Sequence, residues 1–191
     1  MDPHERVIQH FHESIRTKQM AMDQLVGVVV RAAEIMAHCL HEEGKILSCG
    51  NGGSAADAMH IAGELVGRFL KERRGLNCIA LGADAAVTTA WSNDYGYDSL
   101  FARQVEAYGR AGGVLLGIST SGNSANVLKA AEAARAKGMT VIGLTGETGG
   151  KLAPLCDILL NAPSRHTPHI QQIHACLYHY LCQKVEERLA G

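Results

Sequence analysis

Long apolar runs and a surplus of charge of one sign are both missing from this sequence. No stretch approaches the roughly 18 consecutive apolar residues that a membrane-spanning helix needs. Lysine and arginine number 18 against 19 aspartate and glutamate, for a net charge of −1. Aromatic residues make up only 5% of the chain, too few for platforms that stack bases. We therefore expect no nucleic-acid partner and no membrane partner.

Disulfide and zinc-knuckle patterns are missing as well. Six cysteines are present, but no two are spaced as Cys-x-x-Cys, and most lie among apolar residues. This pattern is typical of small buried side chains in a reducing compartment. Charged residues dominate positions 1–6, and no apolar signal core follows them. The sequence therefore predicts a cytoplasmic protein.

The length and composition suit a single domain. The chain has 191 residues, of which 47% are hydrophobic and 19% charged, with only 4 prolines. Such a chain can bury a sizeable core and is not of the disordered type. No repeat, low-complexity segment or linker interrupts it. We expect one domain over residues 1–191, with oligomerisation helices in 1–43 and an α/β core with a C-terminal helix in 44–191.

Hydrophobic periodicity predicts an α/β fold. Apolar residues at three- and four-residue spacing predict two N-terminal helices, at 7–24 and 28–43. Short apolar runs then alternate with helical patterns, which predicts a three-layer sandwich around a five-stranded parallel sheet. The predicted strands are 45–49, 77–81, 114–118, 140–144 and 158–160. The other predicted helices are 55–70, 98–109, 123–137, 150–155 and 168–189.

A glycine-rich loop at residues 50–54, Gly-Asn-Gly-Gly-Ser, follows the first predicted strand. Ligands bind parallel sheets at the carboxyl ends of the strands, and glycines let the backbone approach a ligand closely. Ser54 is the expected N-cap of the next helix. An ordinary tight turn is one alternative. A dinucleotide loop is another, since Gly50, Gly52 and Ala55 fit GxGxxA, but the acidic residue expected about 20 positions later is missing.

A second loop at residues 119–124, Ser-Thr-Ser-Gly-Asn-Ser, follows the third predicted strand and opens a helix. It carries four hydroxyls in six residues, and the N-terminal end of a helix favours an anion. The loop has no lysine, so it is not a nucleotide-binding Walker loop. Helix capping alone would also explain the hydroxyls. A single phosphate monoester is the ligand that the loop suits best.

Two helical spacings suggest a metal or acid–base site. His60 and Glu64 are four residues apart, so they share one helix face and could form half of a metal site or a surface pair. Gln171, Ala175 and His179 likewise share a face of the final helix. The spacings alone leave both interpretations open.

Taken together, these segments resemble the sugar isomerase (SIS) family. The resemblance is carried by residues 50–54, by Ala58-Met59-His60 with Glu64, and by residues 119–124. Within the SIS family, these residues most resemble the phosphoheptose isomerases. It extends over the N-terminal helices, the Asn93-Asp94-Tyr95-Gly96-Tyr97 segment and the final helix. The resemblance therefore implies the SIS fold over nearly the whole chain. The N-terminal helices carry apolar stripes that a five-stranded α/β core would not need, and such faces usually pack on partners, which predicts a homotetramer.

The resemblance also implies roles for particular residues. Glu64 and His179 are implied to be the acid–base pair. One Zn²⁺ per subunit is implied to bind His60, Glu64, Gln171 and His179, with His174 as a possible substitute. Arg68 is implied to reach a neighbouring subunit's site. The implied contacts to the sugar phosphate are Asn51, Gly52, Gly53, Ser54, Glu64, Asn93, Asp94, Ser119, Thr120, Ser121, Ser124 and Gln171.

The implied reaction converts D-sedoheptulose 7-phosphate into D-glycero-D-manno-heptose 7-phosphate through an enediol, the first step towards heptose for lipopolysaccharide or capsule. Two alternatives stay open. One is a non-enzymatic relative of the same fold that binds the replication initiator; it lacks the pair matching Glu64 and His179. The other is an SIS isomerase acting on a different sugar phosphate.

Overall fold

A five-stranded parallel sheet lies between two layers of helices in the computed structural model, which describes residues 2–190. The strands are β1 (Ile46–Cys49), β2 (Cys78–Ala80), β3 (Val114–Ser119), β4 (Thr140–Thr145) and β5 (Ile158–Asn161). The helices are α1 (Pro3–His41), α2 (Gly53–Val66), α3 (Ala85–Tyr95), α4 (Leu100–Tyr108), α5 (Ala125–Ala136) and α6 (Thr167–Leu189), with 3-10 turns at Tyr97–Ser99 and Gly150–Leu155. The predicted fold class and all five predicted strands are confirmed.

The two faces of the sheet support two hydrophobic cores. Leu116 and Ile118 of β3 face one core, which α1, α2 and α6 cover. Leu115 faces the other, which α4 and α5 cover. Every residue of β3 is consequently buried. Because strands covered on both faces need apolar residues throughout, they read as continuous apolar runs rather than as alternating ones.

The N-terminal segment is one helix, so the prediction of two helices is wrong. α1 runs unbroken for 39 residues with Gly27 inside it. One glycine costs a helix only about 1 kcal/mol relative to alanine. Leu25 and Val29, on either side of Gly27, are both buried, and burying a side chain of this kind contributes about 1.5–3 kcal/mol. The free energy gained by burying Leu25 and Val29 therefore exceeds the helix-propensity cost of Gly27.

The two ends of α1 differ in their surroundings. Ala32, Met36 and Leu40 near its C-terminal end belong to the core under α6. The N-terminal part instead carries an exposed apolar row along one side: Val7, Ile8, Phe11, Ile15, Met22 and Val26. Because these side chains are exposed, the row is an uncovered face of α1. No helix within residues 2–190 is long and apolar enough to cross a bilayer.

Helix α3 was missed by the sequence analysis. None of its residues is fully buried, and only Val87 and Trp91, one turn apart, pack against the core, so its apolar periodicity is too short to predict a helix. Its start is fixed by Asp84, whose carboxylate accepts hydrogen bonds from the backbone N–H groups of Ala86 and Val87. An aspartate at this position is a recognised N-cap, and it is the one signal that would have located the helix.

Candidate active site

The two loops singled out in the sequence follow neighbouring central strands. β1 pairs with β2 on one side and with β3 on the other, so the direction of winding reverses between β1 and β3. A reversal of this kind leaves a crevice at the carboxyl ends of the strands, where open α/β sheets bind ligands. The glycine loop (residues 50–54) and the serine loop (residues 119–124) border this crevice, as predicted.

A pair of asparagines fastens the two loops together. Asn51 of the glycine loop and Asn126 in the first turn of α5 exchange two amide hydrogen bonds, of 2.9 and 2.8 Å. The Tyr97 hydroxyl donates a third, of 3.1 Å, to Oδ1 of Asn51. These bonds leave one side-chain N–H of Asn51 for a ligand. The sequence analysis missed Asn126, because nothing local marks a partner 75 positions away.

The glycine loop depends on two of its glycines. Gly52 has a φ of +55°, which glycine adopts far more readily than other residues. A Cβ at Gly50 would collide with the backbone carbonyl of Ser54, whereas a Cβ at Gly53 would meet only the end of the Gln171 side chain on α6. Gly52 is also the N-cap of α2, so the prediction that Ser54 caps this helix is wrong: the left-handed turn at Gly52 starts α2 earlier, and Ser54 is buried inside it.

The serine loop leaves helix α5 open to an anion. Ser124 is the N-cap of α5 but makes no capping bond to its backbone; its hydroxyl instead lies 2.9 Å from the Ser119 hydroxyl. The first N–H groups of a helix have no partner within the helix, so an anion can bind there. A cavity of about 320 Å³ opens beside Thr120 and Ser121.

The structure brings together three of the four predicted metal ligands. Donor atoms of His60, Glu64 and His179 all lie within 4.8 Å of one another. Nε2 of His60 is 2.9 Å from Oε1 of Glu64, and the two imidazole rings are nearly perpendicular, with centroids 5.0 Å apart. Two imidazoles and a carboxylate suit Zn²⁺. Gln171, the fourth, lies against Gly53.

The neighbouring His174 is an anchor for α6 and not a substitute ligand. It is fully buried, and its Nε2 lies 3.0 Å from the carbonyl oxygen of Thr145 at the end of β4. Burial lowers the pKa of His174 to about 4, so the ring is neutral at physiological pH. Within residues 2–190 it is not part of the convergent donor group.

Asn93 and Asp94 lie in the last turn of α3. Both are exposed, and Nδ2 of Asn93 donates a 2.9 Å hydrogen bond to Asp94. Over the part of the chain that the structure describes, neither side chain is hydrogen-bonded to the glycine loop or the serine loop. Tyr97, just beyond them, makes the connection between this segment and the crevice.

Sequence comparisons show which known proteins this chain is similar to. Residues 9–146 match the profile of the SIS domain family, so the chain belongs to the SIS class. The phosphoheptose isomerase of Alkalilimnicola ehrlichii is 50% identical over 194 aligned residues, covering 100% of this chain and 99% of that protein. That of Neisseria gonorrhoeae is 54% identical over 188 residues, covering 97% and 95%.

A solved structure agrees with the sequence relatives. The structure of phosphoheptose isomerase from Neisseria gonorrhoeae matches with a TM-score of 0.92 and 51% identity, covering 97% of this chain and 100% of that one. The chain therefore belongs, within the SIS class, to the phosphoheptose isomerase family.

A buried ion pair attaches the two helices that carry the donor cluster. Nε of Arg73, in the segment after α2, lies 3.2 Å from Oε1 of Glu186 on α6, and both side chains are almost fully buried. The Glu186 carboxylate also accepts hydrogen bonds from three consecutive backbone N–H groups, those of residues 69–71, at 2.7–2.9 Å. The Arg73 guanidinium donates to the carbonyl oxygens of Glu64 and Leu65. The pair thus joins the backbone of Glu64 to α6.

The charge of Glu186 depends on these contacts. Burial on its own would raise the pKa of this carboxyl, but the three N–H groups and Arg73 outweigh burial and lower the pKa. A lowered pKa means that the carboxylate stabilises the folded state at neutral pH. This contribution is lost as the pH falls from the unfolded value of about 4.3 through the lower folded value.

We predict that Glu186→Gln lowers the free energy of unfolding by about 3–5 kcal/mol at pH 7, since Arg73 is left buried without its counter-charge. Chemical denaturation measures the change. The difference from the wild type should begin to shrink as the pH falls through about 4.3, where the carboxyl of the unfolded chain becomes protonated, and should go on shrinking towards the lower folded pKa. Glu187→Gln is the matched control, because Glu187 is exposed, and it should leave stability nearly unchanged. Equal stability of the Glu186→Gln variant and the wild type at pH 7 would contradict this account.

Proposed function

We propose that the protein isomerises D-sedoheptulose 7-phosphate to D-glycero-D-manno-heptose 7-phosphate, the aldose from which heptose for bacterial lipopolysaccharide or capsule is made. The observation that carries the proposal is the meeting of Glu64 and His179 within the donor cluster, in a chain 50–54% identical to phosphoheptose isomerases. A non-enzymatic member of the same fold would have no use for this pair.

The chemistry follows from the position of the acid–base pair. Glu64 removes a proton from C1 of the ketose, which gives an enediol, and a proton is then returned to C2. His179 carries the accompanying proton between the two oxygens, so that the C2 carbonyl becomes a hydroxyl and the C1 hydroxyl becomes an aldehyde. Each positioned acid or base of this kind typically contributes about 10²–10⁴-fold to the rate.

The donor cluster is suited to one Zn²⁺ per subunit. His60, Glu64 and His179 would hold the ion, with the amide oxygen of Gln171 as a fourth ligand. Calcium and magnesium prefer oxygen ligands throughout, so two imidazoles favour zinc. A bound zinc ion would polarise the sugar carbonyl. Hydrogen bonding between His60 and Glu64 keeps the two donors close together, and a metal would take the place of the proton between them.

The serine loop is the proposed phosphate site. The open N-terminal end of α5 and the hydroxyls of Ser119, Thr120, Ser121 and Ser124 would bind the phosphate oxygens. Asn51, Gly52, Gly53 and Ser54 of the glycine loop, with Gln171, would contact the sugar between the phosphate and the donor cluster. Asn93 and Asp94 would contact the sugar hydroxyls.

An apolar surface on α1 and the free cysteines support a homotetramer in a reducing compartment. The exposed apolar row on α1 adjoins a groove of about 440 Å³ between α1 and α6, lined by Met22, Val26, Ile173 and Tyr180 among others. Faces of this kind usually pack on partners, which supports a homotetramer formed through residues 1–43 of a single-domain chain. All six cysteines are free, which supports a reducing compartment such as the cytoplasm.

We predict that Glu64→Gln lowers kcat at least about 10²-fold, because it keeps the shape of the side chain but removes the base. His179→Gln should have a similar effect, and the double variant should be little worse than either single one. Steady-state rates on sedoheptulose 7-phosphate measure this, with zinc content determined on each sample because both residues are proposed ligands. Near-normal turnover in the Glu64→Gln variant with full zinc content would assign the base elsewhere.

We predict that Ser121→Ala weakens the binding of the substrate phosphate by about 1–3 kcal/mol, the usual value of one hydrogen bond to a charged group. KM for sedoheptulose 7-phosphate should rise accordingly. Sedoheptulose without the phosphate is the control, since its slow turnover should be the same in the variant and the wild type. An unchanged KM for the phosphorylated sugar would remove Ser121 from the site.

We predict that Val26→Lys converts the homotetramer into smaller species, because a lysine would have to be buried in an apolar contact. Light scattering at micromolar concentration measures the mass, which should be four times that of the monomer for the wild type. Gln24→Lys, on another side of the same helix, is the matched control and should stay tetrameric. A monomeric wild type would contradict the proposed assembly.

A further inference from the structure

Tyr178 provides the second hydrogen-bond partner of His60. It directly precedes His179 on α6, is almost fully buried, and its hydroxyl lies 3.1 Å from Nδ1 of His60. The opposite ring nitrogen, Nε2, faces Glu64. The Tyr178 ring also packs edge-on against His60, with centroids 5.3 Å apart. Both nitrogens of His60 are therefore held, one by the donor cluster and one by Tyr178.

The carboxylate of Asp57 lies near Tyr178 and His60 but is not part of the donor cluster. Asp57 is three residues before His60 on α2, and its Oδ2 atom is buried and has no hydrogen-bond partner within residues 2–190. The pKa of Asp57 is raised, because burial outweighs the nearby Tyr178 hydroxyl, His60 and His179, which lower it. A buried carboxylate oxygen without a partner is costly, so a donor is expected there.

The Tyr178 hydroxyl can supply that donor. A tyrosine hydroxyl has an ordinary pKa of about 10, so it keeps its proton at physiological pH. A hydroxyl can donate one hydrogen bond while it accepts others. It can therefore accept a bond from an Nδ1–H group of His60 and donate its own proton to Asp57, which satisfies all three groups at once.

We propose that Tyr178 and Asp57 are positioning residues that hold His60 with its proton on Nδ1, so that the lone pair of Nε2 faces Glu64 and His179 and can bind a metal ion. Histidine ligands commonly donate their second N–H to a carboxylate or carbonyl, which fixes the tautomer and the ring orientation. Here a tyrosine stands between the histidine and the carboxylate. The proposal rests on the zinc site of the proposed function.

Zinc affinity is the direct test, measured on the purified protein by competition with a chromophoric chelator. Tyr178→Phe keeps the ring packing but removes the hydroxyl, and it should weaken Zn²⁺ binding about 10–100-fold, as for other partners of metal-bound histidines. Asp57→Asn should weaken binding in the same direction. The double variant should be no weaker than Tyr178→Phe, because the two residues act through one hydrogen-bond chain.

Two further readouts separate positioning from a merely structural role. In the zinc-loaded wild type, nitrogen-15 NMR should find the His60 proton on Nδ1 and protected from exchange with solvent, and Tyr178→Phe should remove that protection. Tyr108→Phe, at the far end of α4, is the control and should leave zinc affinity unchanged. Zinc affinity unchanged in Tyr178→Phe, or a proton on Nε2 in the zinc-loaded protein, would overturn the inference while leaving the isomerase standing. A wild type that binds no zinc would overturn both the inference and the zinc site, and sugar turnover would then decide the rest.

Discussion

Glu64 and His179 stand on two different helices, and the buried Arg73–Glu186 ion pair ties those helices together. Arg73 donates to the carbonyl oxygen of Glu64 itself, while Glu186 lies two turns beyond His179 on α6. The N–H of Phe69 is bonded to Glu186, and its ring lies 6.0 Å from that of His179. A buried charge without its partner is strongly destabilising, so the pair restricts how far the proposed base and acid can move apart.

The other half of the site depends on the topology of the sheet. Winding reverses between β1 and β3, so the glycine loop and the serine loop meet at one crevice, and the Asn51–Asn126 amide pair fixes their spacing. His174 fastens α6 to the end of β4. The phosphate and the reacting carbons of one substrate would thus be held by separate elements whose relative positions are set by buried hydrogen bonds, which is the precondition for positioned acid–base catalysis.

The sequence predicted the sheet and both loops well, because buried parallel strands read as unbroken apolar runs and loops at strand ends carry their own glycines and hydroxyls. It could not locate α3, which fully buries no residue, and it divided α1 at Gly27, where distant packing overrides local propensity. Spacing alone also left the roles of His60 and Glu64 open. Partners far apart in the chain, such as those joined by the Arg73–Glu186 pair, become visible only in three dimensions.

The central claim is that this protein interconverts a ketose and an aldose 7-phosphate by moving a proton between C1 and C2. Incubation with sedoheptulose 7-phosphate in D₂O, followed by NMR of the product, tests it most directly. A base such as Glu64 can exchange the proton that it removes with solvent, so the account predicts an aldose product that carries deuterium at C2. Failure to form the aldose, with or without added zinc, or a product that still carries only protium at C2 after many reversible turnovers at equilibrium, would contradict the account.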